Sequence, residues 1–253
     1  MKRAKIPDVF KTRKKPKIQQ QTSEDWGEED SGSAVPTDCQ AALMYLRSLI
    51  NVEALDRRIP PIIIKHQLYN VIKNRTHVDK QVNELRDSKE IKLLKLGTGP
   101  DEFSIVFTKD YVEHVNKQLP DRPVVKRFLS SIVEKTNSVS VDKRMLVDHL
   151  EFKDEEITEL VNGGVLNVRD VGSWWIAVPG AGYFIRHFTK GRDAILRTIR
   201  NSKYKQILLR ELETRDLKAT KTLGMQYHIQ EILGSGSVSK FDTTSGTMVR
   251  IDS

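Results

Sequence analysis

Cysteine is almost absent from this chain, since Cys39 is the single cysteine among 253 residues. One thiol excludes an internal disulfide framework and a zinc site built from several cysteines. Long apolar runs are missing too, because no stretch approaches the ~18–20 residues that span a bilayer. The N-terminus also lacks the apolar segment of a signal peptide. We therefore expect a soluble intracellular protein that makes no membrane contact.

The motifs of nucleotide-binding and metal-binding enzymes are missing as well. Glycines at 97–99, 180–182 and 234–236 begin a G-x-G-x-x-G pattern, but Glu102, Ile185 and Ser239 stand where its third glycine belongs. The kinase signatures V-A-I-K, H-R-D and D-F-G do not occur, and the histidines show no metal-ligand spacing. We expect no enzymatic activity, no cofactor and no metal.

Positive charge is in excess and unevenly distributed. The net charge is +8 and the pI is near 9.4, which favours a polyanionic partner. Residues 1–17 carry +7, residues 18–38 carry −6, and residues 180–253 carry +6. We interpret residues 1–36 as a disordered arm of low hydrophobicity and segregated charge. Its basic segment is either a nuclear-localisation signal or a solvated arm that adds phosphate affinity. The residues of this segment are Lys11, Arg13, Lys14, Lys15 and Lys17.

One order of elements, helix, helix and then β-hairpin, occurs three times. The hairpin patterns cover 91–107, 165–178 and 237–251, each with glycine in or near its turn. This is the order of a winged helix, a helix-turn-helix variant with a hairpin wing. We predict a mostly α fold with small β-hairpin wings (α+β), as three tandem winged-helix domains after the arm. The predicted domains are winged helix 1 at 37–119, winged helix 2 at 120–179 and winged helix 3 at 180–253.

Several local patterns carry more specific expectations. Pro60 and Pro61 are expected to open a helix, because proline is tolerated in a first turn. A long helix from Gly182 has a kink or a boundary expected near Gly191. We expect another helix over 203–213 and a last one over 221–233. On the last helix, Gln226, His228 and Gln230 are expected on the exposed face, where base contacts are one use and plain exposure is another.

The third unit concentrates basic residues at helix ends and turns, where a helix-turn-helix meets the phosphate backbone. A solvated helix surface is the alternative interpretation. We expect phosphate-dominated binding, because nothing in the sequence favours base readout. The candidate DNA-binding residues are Arg186, Lys190, Arg197, Arg200, Lys203, Arg215, Lys218 and Lys221.

The second unit looks unsuited to DNA, because its third helix reads D-E-E-I-T-E and phosphates repel carboxylates. Alternation along its hairpin places one of two adjacent tryptophans inward and leaves the other for an inter-unit contact or a partner. This unit either binds protein or spaces its neighbours. The candidate interface residues are Trp174, Trp175, Asp154, Glu155, Glu156 and Glu159.

Three segments carry a resemblance to a known family. They are WWIAVPGAGYFIRHFTKGRDAILRTIRNSKY at 174–204, LGMQYHIQEILG at 223–234 and TTSGT at 243–247. They resemble the family of inactive serine/threonine-protein kinase 19, over roughly 37–253. The resemblance implies three tandem winged helices that bind double-stranded DNA in chromatin, in the nucleus, without a kinase fold.

The same resemblance implies a role in transcription-coupled nucleotide excision repair. The implied partners are RNA polymerase II, the Cockayne-syndrome complex and the TFIIH helicase, which the protein bridges. The DNA-contacting surface implied by position surrounds Arg186, Arg200, Lys203 and Arg215. We expect a monomer or a DNA-induced dimer. The alternative function is a winged-helix module that binds proteins without contacting DNA.

Overall fold

The computed structural model describes residues 38–55, 58–97 and 102–251. The predicted nuclear-localisation residues Lys11, Arg13, Lys14, Lys15 and Lys17 and most of the predicted arm lie outside the described residues. Within them, one order of elements occurs three times: a helix, a short strand, two helical segments and two strands. No helix in this part of the chain is both long enough and apolar enough to cross a membrane.

The first repeat covers 38–107 and is followed by a helix that leads into the second. Its first strand is only two residues long. The elements are α1 (Asp38–Ser48), β1 (Ile63–Ile64), α2 (Gln67–Val71), α3 (Arg75–Asp87), β2 (Ile91–Leu94), β3 (Ser104–Phe107) and then α4 (Thr108–Gln118).

The second repeat covers 123–176 and begins, as the sequence predicts, with a helix opened by Pro123. Two of its helical segments are π-helical, with a wider turn than an α-helix. The elements are α5 (Pro123–Phe128), a π-helical turn (Leu129–Val133), β4 (Ser140–Asp142), a π-helical turn (Met145–His149), α6 (Asp154–Asn162), β5 (Leu166–Asp170) and β6 (Ser173–Ile176).

The third repeat covers 181–250 and contains the longest described helix. One short 3₁₀ turn precedes its first strand, and another precedes its last helix. The elements are α7 (Ala181–Arg200), a 3₁₀ turn (Lys203–Lys205), β7 (Gln206–Leu208), α8 (Leu209–Thr214), a 3₁₀ turn (Lys218–Thr220), α9 (Met225–Gly234), β8 (Ser239–Thr243) and β9 (Gly246–Arg250).

Each repeat contains one three-stranded antiparallel sheet, and the three sheets have the same topology. The strand orders are β1-β3-β2, β4-β6-β5 and β7-β9-β8, so the last strand of each hairpin lies in the middle. The three predicted hairpins are confirmed. The mixture of helices with small sheets agrees with the predicted α+β class.

Two expected helices are wrong, and each is replaced in part by an edge strand. Pro60 and Pro61 do not open a helix, because the following residues pair with β3 through Ile63 and Ile105. The helix expected over 203–213 is interrupted at Tyr204, and 206–208 forms β7, which pairs with β9. In both places, pairing with a distant strand outweighs a local helical pattern.

The apolar core is continuous from the first repeat into the second, and it includes the first half of α7 through Phe184 and Phe188. A second, smaller cluster holds the other half of that helix, including Ile195 and Ile199. Because each such side chain contributes roughly 1.5–3 kcal/mol on burial, both clusters hold α7 in place. The helix passes through Gly191 without the expected break.

Candidate nucleic-acid interface

One side of α7 carries a row of exposed basic residues. At about 100° per residue, four basic residues fall in a sector about 80° wide, directly opposite the buried Phe188 and Ile195. The row extends about 21 Å along the helix at 1.5 Å per residue. Asp193 is an acidic residue in the same sector. We call this row the α7 stripe, and it consists of Arg186, Lys190, Arg197 and Arg200.

The α7 stripe forms no ion pairs with carboxylates of the described residues. No carboxylate of the described residues lies within 4.0 Å of its four basic groups, whereas Arg192 on the flank of the same helix pairs with Glu102 and Glu231. Unpaired exposed cations keep their attraction for phosphate. The helical period alone therefore brings half of the predicted DNA-binding residues onto one face.

The other predicted DNA-binding residues lie at turns after α7. Lys203 follows the helix, and Lys218 lies on a 3₁₀ turn that packs against α7; both are exposed and lack a carboxylate within 4.0 Å in the described chain. Arg215 pairs with Glu211, and Lys221 pairs with Asp216 at 3.1 Å. Exposed pairs of this kind contribute about 0–1 kcal/mol, so a phosphate can replace the carboxylate.

The expectation that Gln226, His228 and Gln230 lie on an exposed face of α9 is wrong at its central residue. His228 is fully buried, and Gln230 accepts a hydrogen bond from Asn70 of α2, while Gln226 is exposed. The helix packs against α2 of the first repeat. The buried His228 therefore cannot contact base edges, whereas Gln226 remains exposed.

The contact between α9 and α2 is closely fitted and polar. The Gln67 side chain donates to the Tyr227 carbonyl at 3.0 Å, and the Tyr227 hydroxyl donates to the Ile62 carbonyl at 2.9 Å. Gly234 leaves no room for a side chain, because a Cβ there lies 2.1 Å from the carbonyl oxygen of His66. These contacts join residues that are about 160 positions apart in sequence.

A buried charge network borders this contact. His66 Nε2 lies 3.2 Å from the Glu231 carboxylate, and Arg192 Nη1 lies 3.4 Å from Glu231 and 3.6 Å from Glu102. His66, Glu102 and Glu231 bring potential metal ligands within 4.8 Å of one another. The guanidinium of Arg192 already supplies positive charge to both carboxylates. We therefore interpret the cluster as an ion-pair network, which sequence spacing does not reveal.

His228 is an uncharged histidine in an apolar environment. Its ring faces Gly191, where an added Cβ would lie 2.1 Å from Nε2, and neither ring nitrogen has a hydrogen-bond partner among the described residues. Burial lowers the pKa of His228 from 6.5 to about 4, because the imidazolium loses its hydration.

Acidification is expected to destabilise the protein through His228. Below pH 6.5 the unfolded chain binds a proton at this residue, whereas the folded protein does so only near pH 4. The stability is therefore lost as the pH falls, by about 2 kcal/mol between pH 7 and pH 5. Urea unfolding at the two pH values measures this change in the free energy of unfolding. Over the same pH range, the His228→Gln variant is expected to lose about 2 kcal/mol less stability than the wild type. An unchanged pH dependence in the variant contradicts the assignment.

The candidate protein interface of the second repeat is only partly free. On α6, Glu156 accepts from the Lys153 backbone N–H at 2.8 Å and pairs with Arg127, so it caps the helix. This backbone hydrogen bond and the nearby Arg127 guanidinium lower the pKa of Glu156. Asp154 pairs with Lys143 of the same repeat, Glu159 pairs with Arg122 just before that repeat, and Glu155 is exposed.

The two tryptophans of the middle hairpin are both half-buried. Trp174 packs against the continuous core. The Trp175 ring contacts two cations, the guanidinium of Arg169 at 4.5 Å and the ammonium of Lys95 at 5.4 Å from its centre. Since Lys95 follows β2, Trp175 contacts the first repeat, and this placement leaves only part of its ring open to solvent.

Comparison with known proteins places this chain in a family. Residues 33–251 match the sequence profile of the family described as inactive serine-threonine protein kinase 19. A protein of Homo sapiens named winged helix repair factor 1 is 39% identical over 227 residues, which cover 88% of this chain and 89% of that protein. The Mus musculus protein of that name is 42% identical, over 76% of this chain and 77% of its own. The Xenopus laevis protein of that name is 38% identical, over 99% of this chain and 98% of its own.

Proposed function

Because the chain belongs to the family described as inactive serine-threonine protein kinase 19, we propose that it is a nuclear DNA-binding adaptor of DNA repair. It consists of three tandem winged-helix domains at 37–119, 120–179 and 180–253, and it acts without catalysis. The names of its relatives, winged helix repair factor 1, support both the fold and the repair role. Its nuclear entry uses the basic segment at 11–17.

The α7 stripe is the observation on which DNA binding depends. Its four basic groups face away from the core, lie along about 21 Å and lack carboxylate partners among the described residues. Duplex DNA presents one phosphate charge per about 1.7 Å of its axis, so a row of this length meets several phosphates. Lys203, Arg215, Lys218 and Lys221 add exposed basic residues in the turns that follow the helix in sequence.

The mode of binding is phosphate contact without base readout. The last helix of a helix-turn-helix reads bases in the major groove, but α9 is covered by α2 in this protein. Phosphate contacts fix the position of a protein on DNA and are independent of sequence. The adaptor therefore holds DNA of any sequence and presents its other repeats to protein partners.

The protein partners fit a role in transcription-coupled nucleotide excision repair. On this proposal the chain positions RNA polymerase II, the Cockayne-syndrome complex and the TFIIH helicase around the DNA. The exposed Glu155 and the open part of the Trp174–Trp175 hairpin are the parts of the second repeat available for such contacts. A module that binds only proteins is the competing function, and it makes the α7 stripe a site for acidic partners.

Duplex binding is expected to weaken steeply as the salt concentration rises. With five phosphate contacts, from the α7 stripe and Lys203, the logarithm of the association constant falls with a slope of about −4.5 against log salt. The loss is several hundredfold between about 50 mM and about 200 mM salt. Fluorescence anisotropy with two unrelated duplexes measures the slope, which is expected to be equal for both. Absence of duplex binding at the lower salt concentration contradicts the proposed DNA binding and favours a module that binds only proteins.

A further inference from the structure

The turn after α7 holds two residues in an unfavourable backbone conformation. Tyr204 has φ 60° and ψ 22°, and Lys205 has φ 53°, which is the left-handed region that side chains with a Cβ rarely occupy. Packing does not explain the choice of tyrosine, because its ring is 74% exposed. A strained residue with an exposed ring in a basic surface indicates a ligand-binding role.

The Tyr204 ring forms one wall of an open groove in the third repeat. The groove has a volume of about 620 Å³, within the range of small-ligand sites. Its apolar side is made by Leu208 and Met248, which pair across β7 and β9, and Ser245 of the hairpin turn lies at its rim. We call this cavity the Tyr204 groove. An aromatic wall, an apolar side and a hydroxyl rim suit a flat heterocycle with polar edges.

The charges around the Tyr204 groove suit an anionic chain. The Lys203 ammonium lies 5.1 Å from the centre of the Tyr204 ring, and Arg215 also lines the groove. Glu211 also lines it, but its carboxylate is paired with Arg215. The net charge of the lining is therefore positive. Lys203 follows the last residue of the α7 stripe by three positions, so a strand whose phosphates follow the stripe reaches the groove.

We propose that the Tyr204 groove binds one unpaired nucleotide of DNA, with its base stacked on Tyr204 and its phosphates at Lys203 and Arg215. This inference rests on the proposed DNA binding and extends it to the class of DNA bound. Bases inside a duplex have both faces covered by their neighbours, so only an unpaired base offers a free face to a tyrosine. The adaptor thus recognises DNA that carries an extrahelical or single-stranded nucleotide.

The test compares labelled duplexes of about 20 base pairs that differ only at one central position. One is fully paired, one carries an extra unpaired adenine, and one carries an abasic residue at the same place. The full chain is expected to bind the adenine duplex about tenfold more tightly than the abasic duplex, because stacking supplies that difference. The preference is expected to disappear in Tyr204→Gly and to persist in Tyr204→Phe.

The choice of glycine separates ligand binding from folding. Glycine accepts positive φ without strain, so Tyr204→Gly is expected to melt no lower than the wild type while it loses the preference for the unpaired base. With 2-aminopurine as the unpaired base, stacking is expected to quench its fluorescence in the wild type and not in Tyr204→Gly. Free dAMP at about 1 mM is expected not to displace the DNA, because it lacks the phosphates that reach the α7 stripe.

Each outcome has a distinct meaning. Equal affinity of the wild type for the adenine and abasic duplexes, or a preference that survives in Tyr204→Gly, overturns the groove assignment. Displacement by dAMP overturns it also, since the groove is then a site for free nucleotides. None of these results bears on the binding of fully paired duplex. Only the absence of that binding at low salt contradicts the proposed function.

Discussion

Reversal of three charges in the α7 stripe is expected to weaken duplex DNA binding by at least 100-fold at about 50 mM salt. The variant is Lys190→Glu/Arg197→Glu/Arg200→Glu. These residues share one exposed face and have no carboxylate within 4.0 Å in the described chain, so each change replaces an attraction for phosphate by a repulsion. The slope of the salt titration is expected to fall by about 3, because each lost contact removes about 0.9. Anisotropy titrations give both quantities.

A matched variant separates the position of the charges from their number. Lys117→Glu/Lys135→Glu/Arg144→Glu changes the net charge equally, at exposed residues of α4 and of the second repeat. Lys117 lies in the last turn of α4, as Arg197 and Arg200 lie in that of α7, so the effect on helix dipoles is similar. We expect less than a threefold loss. Equal losses in the two variants show that binding depends on total charge and contradict the α7 stripe as the interface.

A single methyl group at Gly234 is expected to destabilise the protein by about 3 kcal/mol or more. Alanine is favourable in a helix, but at this position its Cβ lies 2.1 Å from the His66 carbonyl oxygen and 3.1 Å from the Cα of Gln67. Backbone atoms cannot turn aside, so α9 must separate from α2. The hydrogen bond between Gln67 and Tyr227 is then lost, and Glu231 is left with less charge compensation.

Thermal melting measures this effect against a second glycine of the same repeat. Gly182→Ala places its Cβ in open space in the first turn of α7, and we expect it to be neutral or to stabilise by up to about 1 kcal/mol. For a chain of this size 3 kcal/mol corresponds to a fall in Tm of about 6–12 °C. If Gly234→Ala and Gly182→Ala have the same Tm, the close approach of α9 to α2 at Gly234 is wrong.

The parts of the fold that the sequence predicts well are those with a local period. Short strand-forming runs on either side of a glycine-bearing turn predict the hairpins at 165–178 and 237–251, and both hairpins form. The basic row on α7 also follows from a local rule, since Arg186, Lys190 and Arg197 recur at helical spacing. These features need no knowledge of which segments meet in the folded chain.

The features that the sequence does not predict depend on distant partners. Ile63–Ile64 and Gln206–Leu208 are too short to show a period, and they become strands because β3 and β9 pair with them. The periodicity of α9 indicates one buried side through Tyr227 and Ile232, but α7 covers His228 at Gly191, and α2 contacts the helix at Gln230. The left-handed turn at Tyr204 has no glycine or asparagine to mark it, so a local pattern favours helix there.

The contact of α9 with α2 has a consequence for the synthesis of the protein. Leu223 and Tyr227 belong to the same core as the first repeat, so that repeat cannot complete its burial until they have been made. Gly234 emerges about 116 residues after the end of α4 at Gln118, which takes about 6 to 23 s at translation rates of 5–20 residues per second. During that interval the nascent chain exposes apolar surface, and a ribosome that stops before α9 leaves a product with an incomplete core for chaperones and proteases to bind.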